Sequence, residues 1–283
     1  MIISVASGKG GTGKTLVATN LAAVLGSKAV LLDCDVEAPN ANLFLQPEFE
    51  KSITVSTPVP EVDENKCTYC GKCDEICQFK AIIVAAKTVL TFPELCHSCG
   101  GCTAVCPENA ITEKGRELGI IEFGHRNDLK TVQGKLRVGE AMSPPLINKV
   151  REYIHPDRVN IIDAPPGTSC PVIAAMKNTD FVVLVTEPTP FGLYDLQLAV
   201  GAVQTLKIPC GIIINRSDLG DRRVRDYVDE NAIPVLMEIP FQRKIAETYS
   251  RGELMVDKFP GMKSQFITLF KAIEEIIECG KRI

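Results

Sequence analysis

The chain has 283 residues, a length that accommodates about two domains of ordinary size. Hydrophobic residues make up 45% and charged residues 23%, the balance of a soluble globular protein, and a net charge of −4 excludes a general basic field for nucleic acid or an anionic membrane. Residues 1–6 lack the basic start and cleavage site of a signal peptide, and the apolar runs are far shorter than the ~20 residues that cross a bilayer. We therefore expect a cytoplasmic protein without nucleic-acid partners.

The N-terminal part of the sequence alternates buried strands with helical patterns. Residues 2–5 form a short apolar run typical of a buried parallel strand, and apolar residues recur at helical spacing over residues 16–25. A second apolar run begins at residue 29 and ends in the carboxylate of Asp33. This order predicts the beginning of an α/β domain with a parallel sheet.

The segment between the first strand and the first helix matches the phosphate-binding pattern G-x-x-x-x-G-K-[ST]. It consists of Gly8, Lys9, Gly10, Gly11, Thr12, Gly13, Lys14 and Thr15. Glycines here let backbone N–H groups surround phosphate oxygens, and the helix N-terminus adds partial positive charge. Lys14 would neutralise the β- and γ-phosphates, and the Thr15 hydroxyl would bind Mg²⁺. A glycine-rich turn without a ligand is the alternative, which the flanking strand and helix disfavour.

A different kind of sequence, rich in Cys, Pro and Gly, occupies residues 56–118. It contains an internal repeat, because four cysteines recur after a constant offset of 29 residues. The first set is Cys67, Cys70, Cys73 and Cys77, and the second is Cys96, Cys99, Cys102 and Cys106. We predict a small inserted α+β domain at 56–118 within a discontinuous α/β domain formed by 1–55 and 119–283.

Each half of the repeat has the spacing C-x2-C-x2-C-x3-C, which is that of bacterial ferredoxins with two [4Fe-4S] clusters. Pro107 follows the last cysteine as in that pattern, whereas Gln78 replaces proline after Cys77. Three closely spaced thiolates can surround one corner of a cubane cluster, and the fourth crosses to the other cluster. The predicted ligand sets are Cys67, Cys70, Cys73 and Cys106 for one cluster, and Cys96, Cys99, Cys102 and Cys77 for the other. Two zinc sites or structural disulfides remain alternatives.

The second half of the sequence resumes the α/β alternation. Buried strands are predicted at residues 159–163, 181–186, 210–215 and 234–240. Helical patterning separates them, as at 193–206 and 222–230, and a last amphipathic helix includes residues 266–277. The predicted fold is α/β, a P-loop NTPase with a mostly parallel sheet and helices on both faces.

The phosphate loop and the strand ends resemble the MinD, ParA and nitrogenase iron protein class of P-loop ATPases. In that class a second lysine, here Lys9, reaches across a nucleotide-sandwich dimer to the partner's phosphates, so the resemblance implies an ATP-dependent homodimer. Asp35 is found where the class keeps the carboxylate that positions or activates the attacking water, and Asp33 would lie near Mg²⁺. Asp163 would hold Mg²⁺ through water, and the Gly167 N–H would sense the γ-phosphate.

The same resemblance assigns further residues. Asn215 would bond the adenine base, with the loop near Pro240 and Phe241 closing over it. Cys170 lies seven residues after Asp163, the spacing at which the nitrogenase iron protein has a cluster-binding cysteine, so a bridging metal and ordinary core packing are both open. Small buried hydrophobic roles are expected for Cys34, Cys210 and Cys279.

The whole chain resembles MinD-superfamily ATPases with an inserted ferredoxin domain, and three functions are compatible with it. The protein could couple MgATP hydrolysis to electron transfer, carry or assemble iron–sulfur clusters as Mrp-type ATPases do, or act as a spatial organiser like MinD. The MinD-like function requires an amphipathic tail beyond the last core helix. Because the sequence ends at Ile283, just past the last predicted helix, we expect no stable membrane anchor. Two ferredoxin clusters favour electron transfer, with a redox partner or an iron–sulfur client protein. Because the insertion separates Asp35 from Asp163, nucleotide-driven movement could reach the clusters.

Overall fold

The computed structural model describes residues 1–280. In this part the strands are β1 (Ile2–Ala6), β2 (Ala29–Asp33), β3 (Glu48–Val62), β4 (Ile82–Ala85), β5 (Thr88–Thr91), β6 (Ile111–Arg126), β7 (Leu129–Leu136), β8 (Val159–Asp163), β9 (Phe181–Thr186), β10 (Cys210–Asn215) and β11 (Val235–Ile239). The α-helices are α1 (Lys14–Leu25), α2 (Ala41–Leu45), α3 (Lys72–Ile76), α4 (Gly101–Val105), α5 (Pro144–Arg151), α6 (Cys170–Met176), α7 (Pro190–Thr205), α8 (Arg223–Glu230), α9 (Arg243–Ser250), α10 (Met255–Lys258) and α11 (Pro260–Gly280).

A nine-stranded sheet organises the fold in the order β11-β10-β9-β1-β8-β2-β7-β6-β3. The seven strands from β11 to β7 are parallel, whereas β6 runs antiparallel to both of its neighbours, β7 and β3. The predicted mostly parallel α/β sheet is therefore confirmed. Parallel strands bring their carboxyl ends to one edge, where the loops after β1, β2 and β8 meet.

Two hydrophobic cores cover the two faces of the sheet. Successive strand residues point to opposite faces, so Leu31 enters one core and Leu32 the other. The first core packs α1 and α11 against the sheet, and the second packs α5, α6, α7 and α8. The helices therefore lie on both faces, as the sequence predicts.

The paired strands β3 and β6 extend beyond the sheet. They pair from Glu48 opposite His125 to Val62 opposite Ile111, with register shifts between Phe49 and Lys51 and between Val55 and Ser56, but β6 pairs with β7 only from Gly119 onwards. The remaining two-stranded part, residues 56–62 and 111–118, is here named the β arm. The predicted boundaries at 55/56 and 118/119 thus fall inside continuous strands, where the β arm leaves the sheet.

The β arm carries a cysteine module, residues 63–110, whose two halves have matching backbones. Each half has a left-handed residue, then a cysteine and a left-handed glycine, then a five-residue helix: Gly71 precedes α3 and Gly100 precedes α4. The left-handed residues before those cysteines are Tyr69 and Ser98. β4 and β5 form a separate antiparallel pair. The sequence repeat is therefore also a repeat of conformation.

Element ends differ from the sequence predictions by a few residues. Helix α7 begins at Pro190 rather than at residue 193, because the Thr189 hydroxyl accepts a hydrogen bond from the Gly192 N–H and caps the helix. Strand β11 spans Val235–Ile239 rather than 234–240, because the prolines at 234 and 240 lack an N–H for the ladder. Within residues 1–280 no helix is long and apolar enough to span a membrane. Residues 281–283, part of the expectation about a tail, lie outside the described residues.

Candidate nucleotide and metal sites

The phosphate-binding loop follows β1 at the carboxyl edge of the sheet and ends in α1. Gly13 caps the helix with a φ of 99°, a left-handed conformation that favours glycine. A Cβ on Gly13 would also lie 2.5 Å from the Asn215 side-chain nitrogen. Two independent restrictions therefore require glycine at this position.

Lys14 is buried among carboxylates at the first turn of α1. Its Nζ lies 3.1 Å from Asp163 Oδ1 and 3.5 Å from Asp35 Oδ2. Burial lowers the pKa of Lys14, but attraction to Asp163 and then Asp35 outweighs burial, so the pKa is raised overall. The structure thus brings to Lys14 two carboxylates that lie 21 and 149 residues away from it in the sequence.

Asp33 binds backbone groups of the segment that follows β2. Its carboxylate accepts hydrogen bonds from the N–H groups of Asp35, Asn40 and Ala41 at 3.1, 3.2 and 3.1 Å. Burial and the nearby charge of Asp163 raise the pKa of Asp33 to about 8. Asp33 therefore holds the loop that carries Asp35, and residues 33–40 are here named the first switch segment.

Asp163 has a free coordination position. Its side chain is fully buried, and Oδ2 has no hydrogen-bond partner among the described residues, while Oδ1 binds Lys14. A buried carboxylate oxygen without a partner is costly unless a ligand or water satisfies it. Thr15, also buried, follows Lys14 at the helix start. These oxygen donors fit Mg²⁺, which takes one or two protein oxygens and retains waters.

Lys9 and Gly167 have partners within the chain. The Lys9 ammonium lies at the surface, 3.9 Å from Glu187 Oε2, and Glu187 is also paired with Arg216 at 2.8 Å. The Gly167 N–H donates to the Ser7 carbonyl at 2.9 Å. Contact of either group with a γ-phosphate would require it to leave these partners.

A cavity of about 800 Å³, open solvent included, lies beside the phosphate-binding loop. It brings together residues expected at the base, Asn215, Pro240 and Phe241, with Gly11 and Gly13 of the loop. The Asn215 side-chain N–H donates to the Thr12 carbonyl at 2.8 Å, so Asn215 also supports the loop. The sequence analysis missed a third wall, which α9 supplies through Ile245, Ala246 and Tyr249, because no motif marks that helix.

The eight module cysteines line two separate cavities of about 360 and 440 Å³, open solvent included. The first is lined by Cys67, Cys70, Cys73 and Cys106, and the second by Cys77, Cys96, Cys99 and Cys102. Each cavity thus receives three cysteines from one half of the repeat and the fourth from the other. This is the grouping that the sequence pattern predicts.

Backbone N–H groups are directed at the cysteine sulfurs. The Tyr69 and Ser98 N–H groups donate to Cys67 Sγ and Cys96 Sγ, both at 3.4 Å. At the other end of each half, Ala81 and Ala110 donate to Cys77 Sγ and Cys106 Sγ at 3.3 Å. Hydrogen bonds of this kind stabilise thiolates, so the donor set fits an iron–sulfur cluster.

The spacing of the module cysteines fits a cluster with several irons. Within residues 1–280 no three His, Cys, Asp or Glu side chains converge as ligands of a single ion would. A cubane cluster binds its four thiolates through four different irons, which separates the sulfurs. Burial raises the pKa of the thiols of Cys73, which is buried, and Cys102, which is half-buried.

The remaining four cysteines differ in exposure. Cys34 is fully buried, as expected, and Cys210 is half-buried. The expectation is wrong for Cys279, which is exposed because α11 buries the face containing Ile273 and Ile277 instead. Cys170 is exposed at the start of α6, so core packing is wrong for it too, and a bridging metal there stays a prediction.

Solved structures show where this architecture recurs. The septum site-determining protein MinD of Pyrococcus horikoshii, determined with Mg-ADP, aligns over 97% of this chain and 95% of its own with a TM-score of 0.61 and 22% identity. The cell division ATPase MinD of Pyrococcus furiosus aligns over 97% of this chain and 98% of its own, with a TM-score of 0.60 and 22% identity. At these identities the likeness concerns the fold.

Sequence comparison adds relatives and a family. An uncharacterized protein of Methanocaldococcus jannaschii is 32% identical over 265 residues, 89% of this chain and 90% of its own length. The iron-sulfur cluster carrier protein of Aquifex aeolicus is 25% identical over 302 aligned positions, covering 98% of this chain and 68% of that protein. The model of the CobQ/CobB/MinD/ParA nucleotide binding domain matches residues 3–255. The chain therefore belongs to the CobQ/CobB/MinD/ParA family of nucleotide-binding proteins.

Proposed function

We propose that this protein is an ATP-hydrolysing iron–sulfur protein, in which MgATP-driven dimer switching is coupled to electron transfer through two [4Fe-4S] clusters. One observation carries the proposal: two cavities, each lined by four cysteines, lie on a β arm that is continuous with the nucleotide-binding sheet. Bound [4Fe-4S] clusters would supply one-electron redox chemistry. The chain's own residues would bind the clusters, bind the nucleotide and connect the two.

In the nucleotide half, Lys14 would exchange its carboxylate partners for the β- and γ-phosphates. Thr15 and Asp163 would hold Mg²⁺, the latter through water, which would satisfy the free oxygen of Asp163. Asp35, which is buried 3.5 Å from the Lys14 ammonium, would position the attacking water once that lysine turns to phosphate. Its raised pKa, caused first by burial, suits a carboxylate that accepts a proton from water.

Dimer formation would complete this site. The family resemblance assigns Lys9 to the phosphates of a second subunit; its side chain is one-third exposed, and its ammonium lies 3.9 Å from Glu187. A contact that long is a weak ion pair, so its loss costs little. Lys9 can therefore leave Glu187 for a phosphate, and ATP would favour the dimer because only ATP supplies the γ-phosphate.

In the cysteine module, the thiolates Cys67, Cys70, Cys73 and Cys106 would hold one cluster, and Cys77, Cys96, Cys99 and Cys102 the other. The backbone N–H donors at the sulfurs would stabilise the charge of the reduced state. The exchange of one cysteine between the halves ties each cavity to both short helices.

An iron–sulfur carrier is the second candidate, favoured by the similarity to the Aquifex aeolicus iron-sulfur cluster carrier protein. A carrier must release its cargo, whereas an electron-transfer protein retains it. We would incubate reconstituted protein with an apo-ferredoxin acceptor, with and without MgATP, and measure iron in both proteins after separation. Retention of iron supports electron transfer, and ATP-dependent loss to the acceptor supports the carrier.

A spatial organiser like MinD is the third candidate, and the MinD-like fold is its support. It predicts ATP-dependent binding to anionic lipid vesicles. Sedimentation with vesicles, with ATP and with ADP, distinguishes it from the first two, which predict that the protein stays in the supernatant.

A further inference from the structure

We infer that the loop joining β7 to α5, residues 137–143, positions the β arm according to the state of the first switch segment, through the ion pair between Arg116 and Glu140. This inference rests on the proposed function and names the contacts that would regulate the cysteine module. The loop is here named the coupling loop. It contacts the first switch segment at both ends and the β arm in the middle.

The coupling loop is attached to the two residues that follow Asp35. Where β7 ends and the loop begins, the Leu136 N–H donates to the Val36 carbonyl at 2.8 Å. At the other end of the loop, the Ser143 hydroxyl, which is buried, donates to Glu37 Oε1 at 2.8 Å. A movement of Asp35 toward a nucleotide would therefore displace both ends of the loop.

Glu140 connects the middle of the coupling loop to the β arm. Its carboxylate is 1% exposed and lies 2.6 Å from a guanidinium nitrogen of Arg116 on β6. The same carboxylate accepts a hydrogen bond from the Met142 N–H at 3.3 Å, and the Arg137 N–H donates to the Leu118 carbonyl at 2.9 Å. A buried ion pair is costly to separate, so Arg116 should follow Glu140 when the loop moves.

The β arm transmits such a displacement to the cysteine module. Ile111, at the start of β6, packs with Cys73 and Ile82 in the module core. Glu113 lines the cavity of the second cysteine set, and the Ala110 N–H donates to Cys106 Sγ of the first. Because β3 and β6 stay paired along the arm, they move as one unit, and both cavities change with them.

The same strand offers a matched control. Lys114, two residues before Arg116, forms a 2.8 Å ion pair with Glu61 across the β arm, but both side chains are 55% exposed. That pair joins the two strands of the arm to each other and does not contact the coupling loop. Loss of Lys114 removes the same charge from the same strand without affecting the proposed connection.

The test is hydrogen exchange of residues 111–118 in reconstituted protein, with and without Mg²⁺ and the hydrolysis-resistant analogue AMPPNP. It compares the wild type with Arg116→Gln and Lys114→Gln. Coupling between sites commonly amounts to about 5- to 150-fold in binding. We expect the analogue to change the hydrogen-exchange rate of this segment by about fivefold or more in the wild type and in Lys114→Gln. In Arg116→Gln the rate should be the same with and without the analogue.

One further variant guards against a folding defect, since Arg116→Gln leaves Glu140 without its main partner. The double variant Arg116→Gln with Glu140→Gln removes both charges and should keep iron content while losing the nucleotide response. A response to the analogue in Arg116→Gln and in the double variant that equals the wild-type response overturns this inference alone. No response in the wild type, with iron and nucleotide both bound, overturns it together with the proposed coupling to the clusters.

Discussion

The ammonium of Lys14 lies 3.1 Å from the carboxylate of Asp163, so the lysine proposed to bind phosphate is paired with the residue proposed to hold Mg²⁺. Asp35 of the first switch segment shares the same lysine at 3.5 Å. A nucleotide with Mg²⁺ would replace both contacts at once, since phosphate attracts the lysine and the metal attracts the carboxylates. We therefore expect binding of nucleotide and movement of the first switch segment to occur together.

Replacing Lys14 tests the nucleotide site. Lys14→Met should weaken MgATP binding by about 10- to 100-fold, because hydrogen bonds from a charged donor contribute about 1.5–3 kcal/mol. Hydrolysis should fall to background. Iron content should stay at the wild-type level, since the cysteine module does not contact this lysine. Calorimetric titration with MgATP and an iron assay measure both, and retained turnover in Lys14→Met would contradict the assignment.

Replacing Lys9 tests the proposed dimer. Lys9→Ala should retain binding of MgATP to the single chain, because Lys14 and the loop backbone remain. It should lose ATP-dependent dimerisation and with it most of the hydrolysis. Light scattering coupled to size exclusion, with the hydrolysis-resistant analogue, reports the mass. A dimer of normal stability in the variant would remove Lys9 from the interface.

Each cavity receives its fourth cysteine from the other half of the repeat, and this crossed pairing predicts which double variants keep one cluster. Cys67→Ser with Cys106→Ser alters one cavity and should leave about half of the roughly eight irons per chain. Cys67→Ser with Cys77→Ser is the matched control, because both residues belong to one half of the repeat but line different cavities. It should lose iron from both clusters. Equal iron in the two double variants, by iron assay and EPR, would contradict the crossed pairing.

Two glycines of the phosphate-binding loop should respond differently to alanine. Gly13 has a φ of 99° and a nearby Asn215 amide, whereas a Cβ on Gly10 would meet nothing within 4 Å. A left-handed alanine costs about 1–2 kcal/mol, and the contact with Asn215 adds to it. Urea unfolding should therefore show Gly13→Ala destabilised by more than about 1 kcal/mol and Gly10→Ala nearly unchanged. Similar losses in both would contradict the steric argument.

The sequence predicts the central strands because a buried parallel strand leaves a direct signal. Residues 181–185 are apolar without interruption, and in the structure every residue of the strand Phe181–Thr186 is buried. The grouping of cysteines is equally readable, since spacing along the chain limits which thiols can share a cavity. The positions of the loop, Asp163 and Asn215 are predictable for a similar reason, because the loop lies between a strand and a helix and each of the two residues ends a strand.

The β arm and the coupling loop could not be predicted. Pro58 and Pro60 within β3 suggest a boundary, yet in this edge strand they need no N–H partner. β7 carries Thr131 and Gln133, polar residues whose burial depends on neighbours distant in sequence. The ion pair of Arg116 and Glu140 and the cavity-lining residues of α9 likewise result from tertiary packing, which leaves no periodic pattern in the sequence.

The central claim is that the nucleotide state reaches the clusters, and a reductive titration followed by EPR tests it most directly. Reconstituted, anaerobic protein would be titrated alone, with MgADP and with MgATP. The account predicts that MgATP shifts the cluster midpoint potential or the EPR line shape relative to MgADP, and that Lys14→Met abolishes the shift. Identical titrations in all three states, with nucleotide binding verified in the same sample, would contradict it.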